Sequence, residues 1–257
     1  MNMVDSQYLE IATQLLTNGE PRETRNGIRH TQFGPEMKFN LALGFPLLTT
    51  KKMFLKGVIH ELLWFLRGST NVKELQDVGV HIWDANADES GELGPIYGKQ
   101  WRDWDGTDQI TQLVDGLCRR PFDTRHVLSA WNPPDIPHMQ LPPCHMISMF
   151  DVDCAGRLSC KMFQRSADWF LGVPFNVASY ALLTQMLARV CGYEVGNLFI
   201  TFGNAHIYDN HRPQMLEQIT RRSHPLPWIR IKHRNQAIDE FQYEDFELLD
   251  YKHEPAI

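Results

Sequence analysis

Cys144 is the residue best placed for chemistry, in the run Pro142-Pro143-Cys144-His145. A thiolate is a strong nucleophile. Paired prolines fix the approach of the chain to it, and a basic region elsewhere in the fold would pull the thiol pKa down. The plain alternative is that a lone cysteine is a small buried apolar group. Cys118, Cys154, Cys160 and Cys191 sit in helical or strand-like apolar patterns and read as structural. A second cluster is Gln164-Arg165-Ser166-Ala167-Asp168. Adjacent Arg165 and Ser166 after a strand can clamp an anion, because a guanidinium grips phosphate through two parallel hydrogen bonds; a surface ion pair would use the same residues. Glu61 stands in an apolar helical turn, where a buried carboxylate needs a partner or a task unless it faces water. His206 and Tyr208 alternate at a strand end, so both can point to one side.

Helices are expected over Asp5 to Leu16, stopped by Asn18-Gly19, and over residues 56–67, which carry His60 and Glu61. A capping-box pattern opens another at Asn71-Val72-Lys73-Glu74. A long apolar helix runs from Asn176 to Cys191 and ends at Gly192; Pro213 to Arg222 reads as a further helix. Arg22 to Gln32 is polar and basic and reads as a loop. Ile82 to Trp104 is rich in Gly, Asp and Trp without a period, the kind of loop that often carries function. Val127 to Trp131 is a strand, followed by the Pro-rich loop Pro133 to Pro143. His145 to Val152 and Arg157 to Phe163 form a hairpin turning at Ala155-Gly156. Leu198 to Phe202, WIRIK and FQYEDFEL are strand-like. The expected fold is therefore α+β, one domain over residues 1–257, around a mostly antiparallel or mixed sheet.

Composition narrows the function classes. The 257 residues carry a net charge of -6, against a general nucleic-acid or membrane-surface binder. The five cysteines form no metal-ligand spacing. Their odd number, and a first segment without a signal-peptide pattern, suit a reducing cytoplasm. No apolar stretch is long enough to span a bilayer.

The chain resembles thymidylate synthases along nearly its whole length. The runs that carry the resemblance are GFPLLTTKK (44–52), IHELLWFLRGSTN (59–71), LGPIYGKQWR (93–102), SAWNP (129–133), LPPCH (141–145), QRSADWFLGVPFNVASYALL (164–183) and GNAHIY (203–208). The resemblance implies that Cys144 adds to C6 of dUMP, so that C5 attacks the methylene of the co-substrate 5,10-methylenetetrahydrofolate. It makes Asn176 the amide that reads the O4 and N3 edge. Glu61 becomes the carboxylate that organises proton-transfer water, with Tyr97, His145 and Asp168 beside it. Arg25, Arg165 and Ser166 become phosphate ligands, and His206 and Tyr208 the holders of the ribose 3′-hydroxyl. Lys51, Ile82, Trp83, Asp168, Leu171 and Gly172 become the folate-facing wall. It also implies a homodimer through the sheet, with helices on the other face and Arg125 reaching the partner's phosphate, and no metal. A thiol hydrolase would need Cys144 and His145 but not Glu61, Asn176 or a folate wall. A non-catalytic homologue would be expected to have lost Cys144 or Arg165.

Four departures matter. One arginine, Arg125, stands where the family has two before SAWN; Met149 replaces a glutamine; Asn204 replaces an aspartate; and the sequence ends at Ile257, short of the tail that closes over folate in the family. A closed site excludes water from the reactive methylene left on C5. On these departures the expected product is 5-hydroxymethyl-dUMP, formed by water, with dTMP, formed by hydride, as the alternative.

Overall fold

The computed structural model describes residues 1–232 and 237–257. Helix α1 (Met3–Asn18) starts where the Asn2 side chain accepts the Val4 and Asp5 N–H groups, and it buries Tyr8, Leu9, Ala12, Leu15 and Leu16. Two strands follow, β1 (Glu20–Thr24) and β2 (Gly27–Phe33), where a loop was expected over Arg22 to Gln32. They pair from Glu20 opposite Thr31 to Thr24 opposite Gly27, leaving Arg25-Asn26 as the turn; Gly27 sits at φ 99°. Of the charged side chains that suggested a loop, Arg22 and Glu23 belong to the exposed edge strand β1, where charge is tolerated and discourages further pairing, while Arg25 sits in the turn and Arg29 on the inner strand β2.

Next come β3 (Glu36–Asn40), α2 (Leu55–Leu66), the single turn α3 (Lys73–Gln76), α4 (Tyr97–Arg102), α5 (Gln109–Arg119) and β4 (Val127–Ser129). The expected capping box at Asn71 does not form. Asn71 does accept the Lys73 N–H, but Glu74 turns to the Ser69 hydroxyl instead. Strands β5 (His145–Val152) and β6 (Arg157–Asp168) make the expected hairpin, with Gly156 at φ 73°. Helix α6 (Gly172–Cys191) starts four residues earlier than expected and ends at the left-handed Gly192. Its early start places Asn176 near the N-terminal end. Strand β7 (Glu194–Tyr208), helix α7 (Arg212–Gln218), and the pair β8 (Trp228–Ile231) and β9 (Phe246–Leu249) complete the chain. The α7 helix and β9 are shorter than expected. Residues Tyr243–Asp245, inside the expected last strand, form a 3-10 turn.

Among the described residues the main sheet has seven strands in the order β1-β2-β7-β6-β5-β4, with β3 also on β7. Only β6 and β7 run parallel, so the sheet is mixed and the fold α+β. One face, with Leu158, Cys160 and Met162 of β6, lies in the core under α6. The other face carries the cross-strand rows Ile147–Phe163–Thr201 and Met149–Lys161–Phe199. Ile147 is 37% and Met149 48% exposed. No helix is long and apolar enough to cross a membrane among the described residues.

Candidate active site

Glu61 on α2, Trp83, Tyr97 at the start of α4, Cys144, His145, Asp168 and Asn176 converge on one cleft of about 490 Å³. Ile82, Leu171 and Gly172 line it too, with Asn86, Leu141 and Phe175, which the sequence reading had not named. The convergence follows from the fold: β5 starts immediately after Cys144, β6 ends at Asp168, and α6 starts four residers beyond that strand.

Cys144 is held by its backbone. The Cys144 N–H donates to the Tyr97 hydroxyl at 2.7 Å, and its carbonyl accepts the Arg165 N–H at 2.8 Å. Arg165 also donates from Nε to the Pro143 carbonyl (2.9 Å) and from one terminal nitrogen to the Pro142 carbonyl (2.7 Å). The guanidinium therefore anchors the two prolines and retains further N–H groups for a ligand. The expected depressed thiol does not occur in the free chain. Burial pushes the Cys144 pKa up, and the nearby Arg165 charge pulls the other way.

Burial raises Glu61 from 4.5 to about 7, although Trp83 Nε1–H donates to its Oε1 at 2.8 Å. A carboxyl group near 7 can both give and take a proton at neutral pH. Burial lowers His145 to about 3, so its imidazole is neutral. Its Nδ1 faces the Tyr180 hydroxyl (3.0 Å) and its ring stacks on Tyr97 at 4.1 Å. That makes it a poor base for a Cys–His hydrolase, since a group that titrates near 3 draws a thiol proton weakly.

Asn176 has a neighbour that sequence reasoning missed. Gln164 Nε2 donates to Asn176 Oδ1 at 3.0 Å and to the Ser166 carbonyl at 3.0 Å. This orientation leaves the Asn176 amide N–H₂ free to donate, and a second lone pair on Oδ1 free to accept. Gln164 lay inside the run that included Arg165, but its inward direction depends on β6 reaching Asp168. Asp168 Oδ1 accepts the N–H groups of Phe170 and Leu171 at 3.0 Å each, fixing the turn into α6.

The residues expected to hold the ribose lie along β7. Ser166 pairs with Asn204, and Asp168 with His206. His206 Nδ1 faces the Asn204 carbonyl (3.2 Å) and Oδ1 (3.1 Å). With its proton there, Nε2 is left as an acceptor. Burial, helped by the Arg29 charge, holds His206 down at about 4. The Tyr208 ring packs edge-on to His206 at 5.1 Å.

Three residues lie elsewhere. Lys51 is buried beneath the wall, donating to the Phe170 carbonyl with its ammonium 3.9 Å from the Phe170 ring centre; burial lowers it to about 8. Arg25 is exposed in the β1–β2 turn. Arg125 is 82% exposed and paired to Asp123 at 2.5 Å. It lines a separate depression of about 630 Å³ with Arg120 and His126. That depression is larger than the cleft but holds none of the groups around Cys144. Met149 is on the exposed sheet face and Asn204 beside His206, so neither lines the cleft where carbon would be transferred. Among the described residues, no group of three or more His, Cys, Asp or Glu could hold a metal ion.

Residues 6–257 match the family described as Thymidylate synthase. The match takes in every element that builds the cleft. The chain belongs to the thymidylate synthase family, the enzymes that transfer one carbon from a reduced folate to C5 of dUMP.

Proposed function

We propose that Cys144 adds to C6 of dUMP, that C5 takes one carbon from methylenetetrahydrofolate, and that the products are dTMP and dihydrofolate. The observation that carries this reading is the meeting of Cys144, Glu61 and Asn176 in one cleft. Addition of the thiolate to C6 drives electrons toward O4. The Asn176 amide, oriented by Gln164, donates to O4 and accepts from N3–H, which suits uracil over cytosine. Glu61, poised near 7, relays protons to O4 and from C5 through water. Ser166 and the remaining Arg165 N–H groups take the phosphate, and His206 and Tyr208 the sugar 3′-hydroxyl.

The residues present fit a reduced folate. Trp83, Ile82, Leu171, Gly172 and Phe175 give an apolar wall facing Cys144. When bound, the folate supplies the carbon and, in the methyl-forming branch, the hydride. The wall residues would hold the folate beside the nucleotide, where proximity would supply much of the rate. The methyl product is favoured because Met149 and Asn204 both lie away from the transferred carbon. The second reading is 5-hydroxymethyl-dUMP, and it too has an observation in its favour. Leu171 is 54% and Ile82 38% exposed, which leaves water a path to the methylene.

A second copy of the chain covers the apolar sheet face in this reading, and brings its Arg125 to the phosphate. The rows around Ile147, Phe163, Met149 and Phe199 support it. Mixing the protein with dUMP and methylenetetrahydrofolate tests the product. Stoichiometric dihydrofolate, read by ultraviolet absorbance, with dTMP in the mass spectrum is the expected result. Tetrahydrofolate with a hydroxymethyl nucleotide establishes the second reading, and no nucleotide-dependent folate turnover overturns both.

A further inference from the structure

The end of α6 packs against the last turns of α5. The Cys191 thiol faces the Val114 carbonyl at 3.9 Å, and the Tyr193 hydroxyl donates to the Leu117 carbonyl at 2.7 Å. Val114 and Cys118 are one turn apart on α5 and share a face. A helical side chain leans toward the N-terminus, over the turn before its own Cα. Cys118 therefore covers the turn that holds Val114, where the Cys191 sulfur already rests. The two thiols are in contact: burial pushes the Cys191 pKa up, and the Cys118 side chain adds to the rise. The Tyr193 phenol is raised by burial and then by both sulfurs.

The corner is open to solvent. Cys118 is exposed and Cys191 half-buried. Helix α6 ends beside them at Gly192, with φ 77°, and a Cβ built there would meet nothing within 4 Å. A soluble reagent reaches Cys118 first, with a second thiol beneath it. The pair is remote from the cleft, which neither cysteine lines. Asn176 and Cys191 stand near opposite ends of α6, about 22 Å apart at 1.5 Å per residue. Cys160 is buried against Thr184, and Cys154 is exposed in the β5–β6 turn.

We infer that Cys118 and Cys191 form a dithiol site for a low-molecular-weight disulfide, and that exchange with it fastens α5 to α6 through an intramolecular disulfide. The Cys118 thiolate attacks one sulfur of the reagent, the reagent's S–S bond breaks, and one thiol leaves. The Cys191 thiolate then attacks the mixed disulfide on Cys118, and the second thiol leaves. Two protein thiols are oxidised, one reagent disulfide is reduced, and the two thiol protons end on the two released thiols. The new bond closes a loop that carries Cys144, Arg165 and Asn176, so it removes freedom from the unfolded chain.

Incubating the intact protein with oxidised glutathione, blocking the remaining thiols with iodoacetamide and mapping the peptides by mass spectrometry tests the site. The expected result is a peptide pair joined through Cys118 and Cys191, with no glutathione left on either. Tm should rise by about 5 °C or more and fall back on reduction with dithiothreitol, as closure of a long loop implies. Cys118→Ser should keep the reduced Tm within about 2 °C of the parent protein and give neither the link nor the rise, whereas Cys154→Ser should give both. Glutathione that stays on Cys118 would overturn the inference. So would a bond from either residue to Cys154 or to a second chain, an unreacted pair, or a link that lowers Tm.

Discussion

Around Cys144 the polar groups answer one another, whereas the exposed and half-buried arginines Arg25, Arg29 and Arg125 largely do not. Trp83 donates to Glu61, the Cys144 N–H to Tyr97, Gln164 to Asn176, and His145 meets Tyr180. Arg29 has a buried Nε without a partner, Arg25 is exposed in a turn, and Arg125 stands out in solvent beside Asp123. One chain can preorganise the groups that manage electrons and protons, because they are neutral or nearly so in the core. Unliganded charges cannot be buried in the same way without a large desolvation cost. The phosphate end therefore waits for a ligand and, in the dimer reading, for a second chain.

The largest expected effect is at the nucleophile. Cys144→Ser should lower turnover by about a thousandfold or more, because a hydroxyl is a far weaker nucleophile than a thiolate at neutral pH. Binding of dUMP should persist, since the phosphate end does not depend on Sγ. Steady-state turnover with a parallel binding titration checks this. Residual turnover near that of the parent protein would move the chemistry away from Cys144.

The next test separates what one chain builds from what two chains build. Cys144→Ala and Arg125→Ala proteins should each be nearly inactive. Mixed and allowed to exchange, they should regain about a quarter of parent activity, since each hybrid dimer then holds one site with both residues intact. A monomeric protein, or exchange without rescue, would put Arg125 outside the site. A charge on the apolar sheet face, as in Ile147→Asp, should weaken the dimer and reduce the rescue with it.

How much of this contrast was legible in the sequence follows from what each group depends on. Cys144 and Arg165 stand out in their runs by residue type and spacing, and Asn176 through the family resemblance of its run. Helix α6 was readable from its apolar length and its terminal Gly192. The surroundings of Gln164 and Arg29 were not, because they come from how β6 turns into α6 and how β2 pairs with β7. Arg29 stands beside Tyr208 only because β2 pairs with β7, about 180 residues away along the chain. The hairpin that carries it was hidden for a related reason. Its first strand, β1, is an edge strand with exposed charges, and neither strand of the hairpin shows an apolar alternation to recognise. The thiol's raised pKa depends on burial, which spacing alone does not report.

A smaller effect should come from Glu61. Its pKa in the folded protein is raised from 4.5 to about 7, so the folded state holds a proton that the unfolded chain has released. That contribution to stability is fully present below about pH 4.5 and is lost as pH rises to about 7. The full loss is about 3 kcal/mol, at 1.36 kcal/mol per pKa unit. Glu61→Gln removes the titration and can still accept from Trp83. The stability of this variant relative to the parent should rise between pH 4.5 and 7 and then level off, while turnover falls. Chemical denaturation at several pH values measures it. A difference that does not change with pH would mean that water reaches the carboxyl group and that the nucleophile end is less closed than it looks.

The smallest expected effect concerns the one residue that joins the two ends. Arg165 anchors the Pro142 and Pro143 carbonyls and lies close enough to Cys144 to oppose the rise in its thiol pKa. A thiol with a raised pKa is mostly protonated at neutral pH, so its alkylation by iodoacetamide should keep accelerating as pH rises past the range of an ordinary cysteine. Arg165→Ala removes the opposing charge, so the midpoint should move higher still and alkylation at neutral pH should slow a few-fold. Arg165→Lys keeps a charge but not the planar fork that meets two carbonyls at once. It should restore most of the midpoint yet leave turnover low, because Cys144 would no longer be held in register with Tyr97. If both variants titrate like the parent protein, the charge of Arg165 does not reach the sulfur, and the two ends of the cleft work independently. If both restore turnover, the prolines hold Cys144 in place without help from the guanidinium.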